Sequence, residues 1–150
     1  MRFRQTLLHS QLIKFNLILR KAIHSKEGYD DILGMEGGTW NAGGCRILAE
    51  SLKKWSKGHF KLYVVKRNDS QTIQHFVAVS KRHNICVDGD GAQTPEMLLY
   101  KMEHAECLPG PKLEPFRHEN PDEIQFHVDK IKKTVSLLNR RLGSHDKWGF

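Results

Sequence analysis

The stretch that most constrains this chain runs Gly37-Gly38-Thr39-Trp40-Asn41-Ala42-Gly43-Gly44-Cys45 and continues Arg46-Ile47-Leu48-Ala49-Glu50-Ser51-Leu52. Glycines come first, then a cysteine, then a helical pattern. Leu48, Leu52 and Trp55 follow Cys45 at helical spacing, so the four residues share one face. Gly43 and Gly44 allow a tight turn into the helix. Cys45 is thereby placed in the first helical turn, where unpaired N–H groups and the helix dipole favour an anion. A thiol there loses its proton more easily, and the thiolate is the nucleophile. Taken alone, the stretch reads first as an ordinary helix with a buried cysteine.

The pattern changes after Lys57-Gly58. Residues 60–65 are aromatic and β-branched, as are residues 73–79, and both read as strands. Asn68-Asp69-Ser70 is a turn between them. Residues 84–88 form a third strand, ended by Gly89-Asp90-Gly91. Thr94 is an N-cap and Pro95 a first-turn proline for a helix through Met97, Leu98, Tyr100, Lys101 and Met102. Residues 108–115 read as loop, and Asn120-Pro121 as a second cap and first-turn pair.

The two ends of the chain read as helices. In residues 4–23, Leu8, Leu12, Phe15, Leu19 and Ala22 make an apolar stripe, closed by Gly28 and a turn at Tyr29-Asp30-Asp31. Its apolar run is broken by Lys14 and Asn16, and no small-residue cleavage site follows, so neither a signal peptide nor a membrane span is expected. At the other end Ile124, Val128, Ile131, Val135, Leu138 and Leu142 alternate steps of four and three, a narrow seam. The seam is expected to pack on the domain, against the N-terminal helix, in a monomer.

A length of 150 residues suits one domain, spanning 1–150, with a real core. The net charge of +7 is compatible with a nucleic acid or another acidic partner, but the basic residues are spread along the chain. Three cysteines, Cys45, Cys86 and Cys107, are too few and odd in number for a disulfide framework, which points to a reducing, cytoplasmic setting. His104 and Cys107 form a lone H-x-x-C, insufficient for zinc without a second pair. No metal or cofactor is expected.

The second and third strands change the reading of Cys45. With Lys81 and Arg82 at the tip of a tight connection, Val79 pairs with Asn84, Val77 with Cys86 and His75 with Asp88. A four-residue loop gives the same register. Directly opposed residues share a face, with Cβ atoms roughly 4.5–5.5 Å apart, so His75 and Asp88 form a histidine–carboxylate pair. A slip by one residue separates them, and a slip by two substitutes Asp90. A histidine held by a carboxylate is the base half of a nucleophilic triad, and a cysteine at a helix start is the nucleophile half. The plainer readings are a satisfied polar histidine and an aspartate that starts a turn. Cys86, in mid-strand, reads as core, and Lys53, Lys54 and Lys57 as a solvated helix face.

Glycine-cysteine at a helix start, then His75-Phe76-Val77-Ala78-Val79, then Val87-Asp88-Gly89-Asp90-Gly91, resembles the papain-like cysteine hydrolase superfamily. The likeness is greatest to its small bacterial and phage members, similar to NlpC/P60 and transglutaminase-like cores. It covers residues 40–91, about a third of the chain. The resemblance implies an α+β fold with a papain-like core, in which the Cys-bearing helix packs on a small antiparallel sheet and N- and C-terminal helices flank it. It implies Cys45 as nucleophile, His75 as general base and acid, and Asp88 as the orienting residue. The oxyanion-hole glutamine of that superfamily has no counterpart upstream of Cys45. Asn41 is the nearest amide, Gly44 shapes the turn, and Trp40 is placed to wall a substrate cleft. The expected activity is hydrolysis or acyl transfer on an amide, isopeptide or ester of a protein or peptide substrate. The alternative is a binding protein or inhibitor of the same fold, as a phage or mobile element would carry, acting through a basic surface.

Overall fold

The computed structural model describes residues 9–34, 39–117 and 127–150. In chain order it contains α1 (His9–Ile23), a π-helical segment (Glu27–Leu33), α2 (Cys45–Trp55), β1 (Lys61–Lys66), β2 (Ile73–Ser80), β3 (Ile85–Asp88) and β4 (Gly91–Gln93). α3 (Pro95–His104), β5 (Lys112–Pro115), α4 (Val128–Leu142) and a 3₁₀ turn (His145–Trp148) follow. The class is α+β. The five strands form one antiparallel sheet in the order β4-β3-β2-β1-β5.

Alternation along the strands divides the core between the two faces of the sheet. Leu62, Ala78, Ile85 and Val87 pack with α1, α2 and α4, while Tyr63, Val65, Val77, Val79 and Cys86 pack with Leu98 and Met102 of α3. On α2, Leu48, Leu52 and Trp55 are buried as their spacing requires, and Lys53, Lys54 and Lys57 are exposed. The helix ends where Lys57 and Gly58 take positive φ of 53° and 86°. α3 begins as its cap residues dictate, with the Thr94 hydroxyl accepting the Met97 N–H at 3.2 Å.

Four expectations change. The segment after α1 is π-helical rather than a turn, and Gly28 is required there because a Cβ would lie 2.2 Å from the Ile23 carbonyl oxygen. β4 and β5 occupy residues expected as turn and loop. They are short, and glycine, proline and charge mask them, so their pairing comes from the free edges of β3 and β1 rather than from propensity. The seam of α4 is part of a wider stripe. Ile131, Thr134, Leu137, Leu138 and Leu142 are buried, Val135 is half-buried and Val128 is exposed. Thr134 hides in that stripe because its hydroxyl donates to the Lys130 carbonyl at 2.7 Å, a bond made within the helix. The register of the β2–β3 hairpin also differs, as described below. α4 packs on α2 as well as on α1. Leu8, Ile124, Asn120 and Pro121 lie outside the described residues.

Asn16, which breaks the apolar run of α1, docks the helix onto the sheet. Its side-chain amide donates to the Ala92 carbonyl at 3.2 Å and its oxygen accepts the Ala92 N–H, so the side chain completes the edge of β4.

Candidate active site

The turn before α2 is built by backbone pairing. Thr39 and Ala42 exchange N–H···O bonds of 3.0 and 3.1 Å, and the Gly44 N–H donates to the Thr39 carbonyl at 2.9 Å. Gly43 carries φ of 84°. At Gly44 a Cβ would meet Thr39 O at 2.8 Å and Leu33 Cδ2 at 3.0 Å, so only glycine lets the chain pass this close. Cys45 is then the first residue of α2.

β2 is longer than its partner. The paired residues of β2 and β3 are Ala78–Val87, Val79–Cys86 and Ser80–Ile85. The hairpin loop is therefore residues 81–84, with Asn84 in the left-handed region at φ 54°. The expected register, with Val79 opposite Asn84, Val77 opposite Cys86 and His75 opposite Asp88, is wrong by two residues, because Asn84 serves the loop and not the strand. A shift of two preserves the face. Extrapolated, the register sets position 90 opposite His75, but β3 has ended at Asp88 and the chain has turned. Asp88 reaches His75 diagonally instead, with Nε2 3.0 Å from Oδ2. Asp90 does not replace it. A β-bulge in the β1–β2 pairing lies beside His75, between Val65–His75 and Lys66–Ile73, a feature that redirects side chains at strand ends.

Because β3 stops early, β2 presents an open edge to the start of α2. The Cys45 sulfur lies against that edge, within hydrogen-bonding reach of the His75 ring and of the Phe76 and Arg46 backbone N–H groups. With Nε2 engaged by Asp88, Nδ1 is the ring nitrogen left for the thiol. Cys45, His75 and Asp88 are thus brought into one chain of contacts.

The electrostatics follow from these partners. Burial works to raise the Cys45 thiol, but the His75 hydrogen bond, then the Phe76 N–H, bring it below its ordinary 9.0. Burial works to lower His75, and the Asp88 and Cys45 contacts override it, so that the ring is pushed up to about 9. Burial likewise works to raise Asp88, and His75 and Lys101 hold it below the ordinary carboxylate value. All three shifts run toward the charged forms of the groups, thiolate, imidazolium and carboxylate.

Asp88 has further partners that sequence reasoning missed. Its side chain has 0% exposure, and Oδ2 also accepts Lys101 Nζ at 2.7 Å. Oδ1 accepts the Asp90 N–H at 2.9 Å. Lys101 bridges on to Asp90 Oδ2 at 2.9 Å. The available signal was a lysine between Leu98 and Met102, the two buried positions of α3. His24 was also missed. Its Nε2 is 3.0 Å from the Gly89 carbonyl oxygen, and its Nδ1 is hydrogen-bonded to the Tyr29 hydroxyl.

The remaining candidates divide. Asn41 is half-buried, and its Oδ1 accepts the Gly89 N–H at 2.8 Å, which ties the cysteine turn to the aspartate turn and leaves the amide NH₂ as its donor end. Trp40 does not wall a cleft. It is completely buried, with its indole N–H donated to the Ile23 carbonyl, so it anchors the turn from beneath. Cys86 is core, as expected. Among the described residues no group of three or more His, Cys, Asp and Glu is placed to hold a metal ion, and no helix is long and apolar enough to cross a membrane. No family model, curated protein or solved structure matches this chain.

Proposed function

We propose that this protein is a papain-like cysteine hydrolase or acyl transferase acting on an amide, isopeptide or ester bond of a protein or peptide. The observation that carries the reading is the contact chain from the Cys45 thiol through the His75 ring to the buried Asp88 carboxylate. Nothing in a stable core requires a helix-initial thiol with a lowered proton affinity, whereas nucleophilic catalysis does. In this reading the Cys45 thiolate attacks the carbonyl carbon and the C=O electron pair moves onto oxygen. The Cys45 N–H, in the first turn of α2 where the helix itself offers no acceptor, and the Asn41 NH₂ supply the donors for that oxyanion. As the tetrahedral species collapses, the His75 imidazolium gives its proton to the leaving amine or alcohol, and a thioester forms on Cys45. His75, now neutral, takes a proton from water or from an acceptor amine, and the second collapse expels the thiolate. Asp88 holds the ring in position and stabilises its charged form.

A labelled electrophile directed at thiols, such as a peptidyl vinyl sulfone, tests this. Covalent capture at Cys45, lost in Cys45→Ala and in His75→Ala while both variants stay folded, is the expected result. A second reading, a binding protein of the same fold, draws on the net charge of +7. It requires no activated thiol. It expects binding to a nucleic acid or acidic protein that weakens steeply with salt and survives Cys45→Ala.

A further inference from the structure

Asp88 Oδ2 is claimed twice. His75 Nε2 lies 3.0 Å from it and Lys101 Nζ lies 2.7 Å from it. The two cations arrive from different elements, His75 from β2 and Lys101 from α3. Lys101 is itself divided, with Asp90 Oδ2 at 2.9 Å. Its side chain is 24% exposed, whereas that of Asp88 is 0% exposed, so the lysine caps the carboxylate against solvent.

We propose that Lys101 is a positioning residue of this site, sharing Asp88 Oδ2 with His75 and thereby limiting how strongly the carboxylate holds the histidine proton. The inference rests on the hydrolase reading but concerns a residue that reading does not use. The physical argument is charge balance. The half-buried Cys45 thiolate, the His75 imidazolium and the buried Asp88 carboxylate carry a net charge of −1, and a charge left uncompensated out of water is costly. Lys101 brings these three groups to neutrality, and the remaining negative charge sits on Asp90, whose side chain is exposed. Its positive charge beside Oδ2 also competes with the imidazolium for the same oxygen. The groups facing this carboxylate and the histidine are Cys45 from α2, Cys86 from β3, Asp90 from the turn and Lys101 from α3, while Glu96 of α3 acts on Cys86. His24, just after α1, meets the turn at the Gly89 carbonyl.

Two substitutions move the shared oxygen in opposite directions. Lys101→Met removes the competitor, so His75 holds its proton to higher pH. Asp90→Asn removes the lysine's other anion, so Lys101 draws more on Asp88 and His75 releases its proton at lower pH. Titration of the His75 ring by NMR, with ¹³C-labelled histidine in the intact protein, reads both without a substrate. The expected midpoints are about one pH unit above the wild type for Lys101→Met and a smaller displacement below it for Asp90→Asn. Lys101→Arg restores the wild-type midpoint.

Midpoints that do not move in the two folded variants, or that move in the same direction, overturn the proposal and leave Lys101 as a structural tie. If Lys101→Met fails to fold, the downward shift in Asp90→Asn decides the matter alone. The electrophile experiment is separate. A His75 midpoint that shifts as expected while Cys45 resists labelling supports the role of Lys101 and removes the hydrolase. Labelling of Cys45 with unmoved midpoints does the reverse.

Discussion

Cys45 and Cys86 are the same side chain in two environments, and burial acts on both in the same direction. At Cys86, in the middle of β3 and completely buried, burial pushes the thiol up to about 12, with Asp88 and Glu96 adding to the rise. At Cys45 the His75 ring and two backbone N–H groups outweigh burial, and the thiol falls below 9.0. The difference lies in what the backbone has to offer. β3 is paired on both sides, by β2 and β4, so its N–H groups are committed to the ladder. A helix start and an open strand edge hold donors that no ladder consumes.

Four measurements sharpen or break this contrast. The largest effect is expected from Cys45→Ala. The proposed hydrolysis should fall by at least about 10⁴-fold, and alkylation by iodoacetamide near neutral pH should fall to the level of Cys86 and Cys107. Peptide mapping that finds Cys86 labelled as fast as Cys45 in the wild type would erase the distinction. Asp88→Asn should lower hydrolysis by about 10³–10⁴-fold while the fold persists, because Asn keeps the shape and loses the charge that holds the His75 imidazolium. Near wild-type turnover in that variant removes Asp88 from the site.

The third measurement is pH dependence. His75 is raised from 6.5 to about 9, so its charged form contributes stability that is complete below pH 6.5 and is lost as pH rises through about 9. Asp88 is lowered from 3.8, so its contribution is complete above that value and is lost on acidification through its lower folded value. Hydrolysis, which needs the His75 proton for the leaving group, should fall about tenfold per pH unit above pH 9. Alkylation, which needs only the thiolate, should not fall there. Alkaline loss of hydrolysis accompanied by labelling of Cys86, which the fold buries, would show unfolding rather than loss of the acid. The smallest effect is expected from Cys86→Ala. It should cost about 1 kcal/mol by thermal melting, as a modest core cavity, and leave Cys45 alkylation unchanged. A large change in Cys45 reactivity would mean that the two thiols are coupled.

The hairpin shows how a site can be legible when its register is not. His75 and Asp88 are a pair because both lie on the same face of neighbouring strands, and the face survives a two-residue shift of register. What the local pattern could not reveal was that Asn84 would take a left-handed loop conformation, a choice that several residue types make only when the strand pairing around them favours it. Trp40 shows the opposite limit. Its place beside the cysteine turn was evident, but whether it faced a cleft or the core depended on α1, which supplies the Ile23 carbonyl to its indole.

By itself the sequence determined the features with a local cause. The period of Leu48, Leu52 and Trp55 set the inner face of α2, Thr94 and Pro95 set the start of α3, and alternation set which residues of β1, β2 and β3 share a face. Tertiary structure alone decided that β3 ends two residues short of His75's direct partner, that the start of α2 fills the edge left open, and that Lys101 meets Asp88 across the α3–sheet interface. The physical reason is range. Period, caps and parity are properties of a few successive residues, whereas the meeting of Cys45, His75, Asp88 and Lys101 requires four elements to pack around one buried carboxylate.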